Sequence, residues 1–175
     1  GARSLPLAPA AVSSDSRLIA ALRYALADLD HALEPLALDQ AVLGLAEALL
    51  ALDPSAQINV ASAKLSATSV ERARAFLDAN LTRTVGSDEL EAASGLDRFT
   101  LARQFRAQLG TSPYRYLTMR RLDQAKAAMR AGASLADAAF ASGFADQSHM
   151  TRQFKQTFGL SPGKWRAIQD LNAAS

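Results

Sequence analysis

The chain has 175 residues, no cysteine and two histidines, with 19 Lys and Arg side chains against 17 Asp and Glu and a formal net charge of +2. This length suits one large domain or two small ones. The missing cysteine excludes a disulfide framework, a thiolate zinc site and a thiol nucleophile, and two histidines disfavour a catalytic zinc centre. The sequence contains no run of ~20 apolar residues and no signal-peptide pattern, so we expect no membrane-spanning segment.

The small net charge conceals a division of the chain. Residues 1–66 carry a net charge of −3, whereas residues 67–175 carry +5. This asymmetry predicts an acidic part and a basic part with different partners. Because the chain begins with Gly1 rather than Met, we expect it to be processed, tagged or truncated.

The acidic part reads as two helices. Alanine at 38 of 175 positions and abundant leucine favour helix over strand along the whole chain. After an irregular lead-in at 1–15, leucine spacing predicts one helix from Asp15 to about Leu33 and another from Asp39 to the residue before Asp53-Pro54. We expect the two helices to form an antiparallel hairpin.

This hairpin, over residues 16–54, is predicted to precede a linker at 55–67. Its leucine stripes leave three interpretations open. They could pack within the hairpin beneath a further domain, form a homodimer through residues 16–53, or bind a partner protein.

The basic part, residues 68–171, reads as seven helices. A capping box at Thr68 to Glu71 begins the first, which extends to about Leu81. Glycines lie between the predicted helices, as is typical of C-terminal caps. The six further helices are predicted at Ser87–Ala93, Asp97–Leu109, Ser112–Ala131, Leu135–Ser142, Asp146–Phe158 and Ser161–Leu171. The predicted fold class is therefore all-α.

A sequence motif occurs twice in this part. The first copy is Arg-Gln-Phe-Arg at 103–106, followed by Gly-Thr-Ser-Pro at 110–113. The second is Arg-Gln-Phe-Lys at 152–155, followed by Gly-Leu-Ser-Pro at 159–162. An alanine-rich composition does not produce this agreement by chance, so the domain contains an internal repeat.

Each copy consists of a short helix, a glycine turn and a longer helix, at 87–109 and 135–158, which is the helix-turn-helix layout. The longer helices combine an apolar stripe with a polar, basic opposite face. We expect the connecting helix, about 20 residues or roughly 30 Å long, to place two readers one DNA turn apart. The predicted stripes are Leu101, Phe105 and Leu109 in the first copy and Met150, Phe154 and Phe158 in the second.

The sequence resembles the AraC/XylS family of bacterial transcription regulators over about residues 68–171. Met150 stands where that family usually has an aromatic residue. The matching segments are Arg121-Leu122-x-x-Ala125, Leu135–Ala139, Gly143-Phe144, Ser148–Lys155 and Gly159–Pro162. The resemblance implies a seven-helix unit with two subdomains that binds double-stranded DNA and recruits RNA polymerase. It also implies a cytoplasmic protein that is on the nucleoid when bound.

The resemblance further implies an effector-binding domain on the N-terminal side, usually a small β-barrel followed by dimerising helices. Residues 16–53 are similar to those helices by position and pattern. We expect the barrel, and with it the site for a small-molecule effector, to be missing from this chain.

Side chains at the start and on the polar face of each longer helix predict DNA contacts. Phe99 fits either a contact to a thymine methyl group or a hydrophobic cap of its helix. Base contacts are expected from Arg98, Phe99, Arg103, Gln147, Ser148, His149 and Arg152. Contacts to the DNA backbone, which position a protein without reading sequence, are expected from Arg106, Lys155, Arg115 and Lys164.

The sequence thus predicts a sequence-specific DNA-binding transcription regulator that inserts two recognition helices into successive major grooves, with no cofactor or metal. An enzyme is the first competing class. DNA-repair methyltransferases can carry this type of regulatory domain, but they need an acceptor cysteine, which the chain lacks. A helical protein-interaction module is the second, and it would lack the steep salt dependence of a DNA binder.

Overall fold

The computed structural model describes residues 13–26, 34–52 and 66–173, and all regular secondary structure in these ranges is α-helical. This confirms the all-α prediction. The ends of the last six helices agree with the predicted ends to within two residues. The helices are α1 (Ser16–Ala25), α2 (Pro35–Leu52), α3 (Ala67–Ala79), α4 (Ser87–Ser94), α5 (Arg98–Leu109), α6 (Pro113–Arg130), α7 (Leu135–Ala141), α8 (Gln147–Phe158) and α9 (Pro162–Ala173).

The helices cluster into two compact units. The first unit comprises residues 1–71 and 85–112, which include α1, α2, α4 and α5. The second comprises residues 72–84 and 113–175, which include most of α3 and all of α6 to α9. The acidic helices therefore cluster with the first helix-turn-helix motif. The domain boundaries given above stay a prediction.

In the first unit α1 and α2 pack against each other, with the Ala21 side chain beside Gly44. The prediction that α2 starts at Asp39 is wrong, because the helix begins at Pro35. Proline suits the first helical position, where its missing N–H has no helical partner, and the Glu34 carbonyl accepts the Leu38 N–H at 3.0 Å. The predicted end, just before Asp53, agrees with the last helical residue, Leu52.

One property of α2 bears on the expectation that no segment crosses a membrane. By length and composition alone, its 18 residues with a mean hydropathy of 1.5 are long and apolar enough to do so. Such a test is weak evidence when a single helix passes it. In the structure the polar side chains of α2 contact the first helix-turn-helix motif instead.

The cap of α3 differs from the prediction. Ser66, rather than Thr68, precedes the helix, and its hydroxyl accepts the Ser69 N–H at 3.2 Å. The Ser66 carbonyl accepts the N–H of Val70, which closes the first helical turn. The Ser66 N–H in turn donates to Oε1 of the buried Gln104, so the start of α3 is held against α5.

The second unit is organised around Arg121 of α6, which is 1% exposed. Its guanidinium donates from Nε to the Leu81 carbonyl at 2.7 Å and from Nη2 to the Arg83 carbonyl at 2.8 Å. These carbonyls follow the end of α3, where a buried backbone acceptor needs a donor. Arg121 therefore has a structural role in the second unit. Its apolar neighbours on the packing side, Leu117, Leu122, Ala125 and Met129, are also buried.

The turn between α7 and α8 requires a glycine for two reasons. Gly143 has a φ of +80°, a conformation that L-residues with a side chain rarely adopt. A Cβ at this position would lie 2.2 Å from the Leu81 carbonyl oxygen and 2.8 Å from the Thr82 Cα. The second helix-turn-helix motif is therefore packed backbone to backbone against the segment that Arg121 also holds.

Candidate nucleic-acid interface

The first candidate reading helix, α5, begins with a well-formed cap. The Asp97 carboxylate accepts the N–H groups of Phe99 and Thr100 at 3.1 and 3.0 Å. These N–H donors, with that of Thr100 the stronger influence, hold the pKa of Asp97 below its ordinary value. The cap fixes the direction of the helix from its first turn.

The polar face of α5 is exposed as predicted. Leu101 and Phe105 are buried, whereas Phe99 is 56% exposed and Arg103 and Arg106 are exposed on the other side. Leu109, expected in the apolar stripe, is 38% exposed, so that prediction is wrong. It lies in the last turn, beyond the buried contacts of Phe105.

The second candidate reading helix, α8, packs through an aromatic cluster. Phe154 is fully buried, with its ring centroid 4.6 Å from that of Phe158 and 5.9 Å from that of Trp165. Gln147 and Ser148 in the first turn are exposed, as is Lys155. Gln147 and Ser148 thus lie in the first turn of α8, ahead of the buried stripe. In helix-turn-helix motifs the first turn of the second helix is where base contacts are made.

His149 does not lie on the exposed face of α8, and the prediction that it does is wrong. Its residue exposure is 8%, and its ring meets that of Phe144 edge to face, with centroids 5.3 Å apart. The N–H of His149 donates to the capping carboxylate of Asp146 at 2.7 Å. The helical periodicity of α8 could not reveal this burial, because Phe144 covers His149 from the preceding turn.

Arg98 is engaged by three carboxylates. It donates from Nε to Glu91 at 2.9 Å, from Nη2 to Asp88 at 2.9 Å and from Nη1 to Asp39 at 3.4 Å. The hydrogen bond that Arg98 donates to Glu91, together with the negative charges of Asp39, Glu91 and Asp88, raises the pKa of Arg98. Because these contacts engage the Arg98 guanidinium within its own unit, Arg98 is not proposed as a base reader.

Arg106 has an acidic partner that the periodicity of α5 does not indicate. Its Nη1 donates to Glu47 Oε2 of α2 at 2.7 Å, and both side chains are about half exposed. By contrast Arg103 and Lys155 form no ion pair within the described part of the chain. The sequence motifs do not indicate that Asp39 and Glu47 lie beside the polar face of α5. The negative charge of residues 1–66 was the signal that could have found them.

The remaining predicted contacts differ in exposure. Lys164 is exposed in the first turn of α9, where it follows the second Ser-Pro pair. Arg115 at the start of α6 and Arg152 in the middle of α8 are half-buried and already make contacts within the chain. Of the eleven predicted contact residues, Phe99, Arg103 and Arg106 share one exposed face of α5, and Gln147, Ser148 and Lys155 are exposed on α8.

Comparison with known proteins shows which domains the two motifs resemble. A family profile described as a helix-turn-helix domain matches residues 90–168. A helix-turn-helix transcriptional regulator of uncharacterised function from Bacillus subtilis, YbfI, is 37% identical over 75 residues, which are 43% of this chain and 27% of that protein. The transcriptional activator RhaS of Escherichia coli is 33% identical over 106 residues, which are 60% of this chain and 38% of RhaS.

Solved structures agree. The AraC-type regulator from Chromobacterium violaceum is 26% identical with a TM-score of 0.52, covering 57% of this chain and 89% of that one. The DNA-binding domain of AdpA, a global transcriptional factor solved with a target DNA, has a TM-score of 0.55 at 24% identity, covering 59% of this chain and 95% of that domain. The AdpA likeness concerns the fold alone.

The fold and the comparisons place a helix-turn-helix domain of the kind found in transcription regulators at residues 90–168. Within that class the basic part of the chain is similar to the activator RhaS and to the AraC-type regulator from Chromobacterium violaceum. The chain spans between about a quarter and two fifths of the length of the curated relatives above.

Proposed function

We propose that the chain reads a specific DNA site with two helices, α5 and α8, inserted into successive major grooves. The observation that carries this proposal is the repeated pair of capped helices, each with its apolar side buried and polar side chains exposed at its start or along one face. A major groove admits one α-helix, and the first turns of such helices meet the base edges.

The proposed roles follow from exposure and chemistry. Arg103 donates to a guanine edge, and Phe99 contacts a thymine methyl group. On α8, Gln147 and Ser148 are the exposed base readers, with Arg152 beside them. Arg106, Lys155, Arg115 and Lys164 contact phosphates, which set the register of the protein on the duplex. His149 is left out because it is buried.

The test is selection of a binding site from a random duplex pool, followed by titration of variants on the selected site. We expect Arg103→Ala to cost ~1–3 kcal/mol of binding free energy and to relax the preference at one base pair. Arg152→Ala should act in the same way at a base pair in the other half-site. Thermal melting accompanies each titration, because Arg152 is half-buried.

Arg23→Ala is the matched control, since it removes the same charge from an exposed position in α1. If Arg103→Ala and Arg152→Ala both bound every duplex as tightly as the parent, the assigned readers would be wrong. A titration that did not weaken as salt rises would favour the protein-interaction module instead.

We further propose that α1 and α2 join two copies of the protein. The apolar side chains Ile19, Leu22, Leu38 and Val42 are 39–53% exposed on this pair. Such a patch favours association. Sedimentation of the parent beside Val42→Lys should give a dimer and a monomer; a monomeric parent would indicate that another domain covers the patch. Recruitment of RNA polymerase, an effector bound by a further N-terminal domain and location on the nucleoid are proposals that rest on the family resemblance.

A further inference from the structure

We propose that α2 is an autoinhibitory element of the first recognition helix. Its acidic side chain Glu47 occupies the Arg106 guanidinium of α5, which DNA would otherwise bind, so docking of α5 requires release of that contact. This inference rests on the proposed reading of DNA by α5 and α8, and it concerns how that reading is controlled.

The contact lies on the face that α5 presents to DNA. At 100° per residue, Arg106 is about 20° around the helix from Phe99 and about 60° from Arg103. Glu47 Oε2 accepts from Arg106 Nη1 at 2.7 Å. A guanidinium that donates to a carboxylate has fewer donors for a phosphate, and the carboxylate adds a negative charge where the phosphate would lie.

The polar side chains of α2 form one edge of that helix. Asp39, Gln40 and Glu47 fall within about 100° of one another at helical spacing. Each of them contacts the first helix-turn-helix motif: Asp39 accepts from Ser87 at the start of α4, Gln40 from Ser112 just after α5, and Glu47 from Arg106. The edge thus contacts the motif before, within and after its reading helix.

The Arg106–Glu47 ion pair is weak enough for DNA to displace it. The Arg106 and Glu47 side chains are 46% and 44% exposed, and exposed ion pairs contribute little and weaken with salt. The pair lies at the rim of an open cavity of about 480 Å³, lined by small residues of α1 and α2 such as Ala21, Gly44 and Ala48. Water and ions reach the pair there, so a DNA phosphate can compete for Arg106.

The test is a double-mutant cycle between Glu47 and Arg106 on a duplex of about 30 base pairs, selected from a random pool with the parent chain. We expect Glu47→Gln to tighten binding to that duplex by about two- to five-fold, the range that an exposed ion pair can supply. In the Arg106→Ala background, Glu47→Gln should have no effect. Asp170→Asn, an equal charge change at an exposed site in α9, is the control and should leave the affinity as in the parent.

Three outcomes overturn the inference. They are an unchanged affinity for Glu47→Gln, a weaker one, and a tightening that persists in the Arg106→Ala background, which would indicate general repulsion between Glu47 and DNA. Each of these leaves the proposed function intact, because the parent still binds its selected duplex. A parent that selects no duplex would overturn both.

Discussion

The two reading helices come from one repeated motif but have different surroundings. In α5, Arg106 is paired with Glu47 of α2, and Arg98 is paired with carboxylates of α2 and α4. In α8, the residue equivalent to Arg106 is Lys155, which is exposed and has no ion pair in the described ranges. In α5, the helix closer along the chain to the acidic part, Arg98 and Arg106 are therefore paired with carboxylates, whereas Arg103 is not paired within the described residues.

The two reading helices share equivalent buried positions, but they differ in which of their exposed cations are paired within the chain. The buried positions of the two helices carry equivalent side chains, such as Phe105 and Phe154, both fully buried. The exposed positions take their properties from whichever element packs beside them. We infer that α8 can engage DNA directly, whereas engagement of α5 is coupled to the position of α2.

The largest expected effect comes from disrupting the turn between the two helices of the second motif. Gly143→Ala places a Cβ 2.2 Å from the Leu81 carbonyl oxygen at a φ of +80°. We expect a loss of ~3 kcal/mol or more in the free energy of unfolding of the second unit, from left-handed strain together with the steric overlap. Chemical denaturation followed by circular dichroism measures it.

Gly159→Ala is the matched control for this change. Gly159 follows α8 with a φ of +75°, and a Cβ there would meet nothing within 4 Å. We expect only the conformational cost, about 1 kcal/mol. Equal losses for the two variants would mean that the overlap with Leu81 relaxes freely.

A smaller effect measures the difference between the two helices directly. Lys155→Ala should weaken binding to the selected duplex by about 1 kcal/mol and lower the salt slope by about 1. Arg106→Ala should cost less in the parent, since its guanidinium must first leave Glu47. The measurement is a set of titrations at several salt concentrations.

The same titrations in the Glu47→Gln background sharpen the comparison. With Glu47 neutral, Arg106→Ala should cost as much as Lys155→Ala. If Arg106→Ala already cost the same in the parent, the two helices would be equally available and the comparison would fail.

The smallest effect concerns the cap of α5 and its dependence on pH. The pKa of Asp97 lies below its ordinary value of 3.8, chiefly because the Thr100 N–H donates to the carboxylate. The ionised form therefore stabilises the fold above that ordinary value, and this stabilisation is lost as the pH falls through 3.8 to the lower folded pKa. Asp97→Ala should cost about 1 kcal/mol at neutral pH.

Asp97→Asn separates capping from titration. Asparagine caps a helix about as well as aspartate but does not titrate. Its unfolding free energy should stay near the parent value at neutral pH and change less on acidification. A parent curve that superimposes on the Asp97→Asn curve at low pH would contradict the proposed role of the carboxylate.

The helices and their repeat could be predicted because their signals are local. Apolar spacing and cap glycines predict the ends of α4 to α9 to within two residues. The start of α2 differs from the predicted Asp39 because Pro35, although it ends a preceding helix, also suits the first position of a new one. The cap of α3 was missed because Ser66 and Thr68 are both good capping residues.

The surface could not be predicted in the same way, because its contacts join distant segments. Glu47 and Arg106 are 59 residues apart, as are Asp39 and Arg98. His149 was misplaced because a residue outside the helix, Phe144, covers it. Helical periodicity identifies which face of a helix is polar, but long-range packing decides which polar side chains are available.

The hydrogen bond from Ser66 to Gln104 has a consequence for the strength of inhibition. It fixes the start of α3 on α5, and thirteen residues join this point to the end of α2. Because Glu47 and Arg106 belong to one chain, their contact is intramolecular and does not weaken when the protein is diluted. In the proposed inhibition, Glu47 at the acidic edge of α2 competes with a DNA phosphate for Arg106. DNA must therefore displace a contact that is always present in the same molecule. Even a weak ion pair then raises the DNA concentration that is needed for α5 to bind.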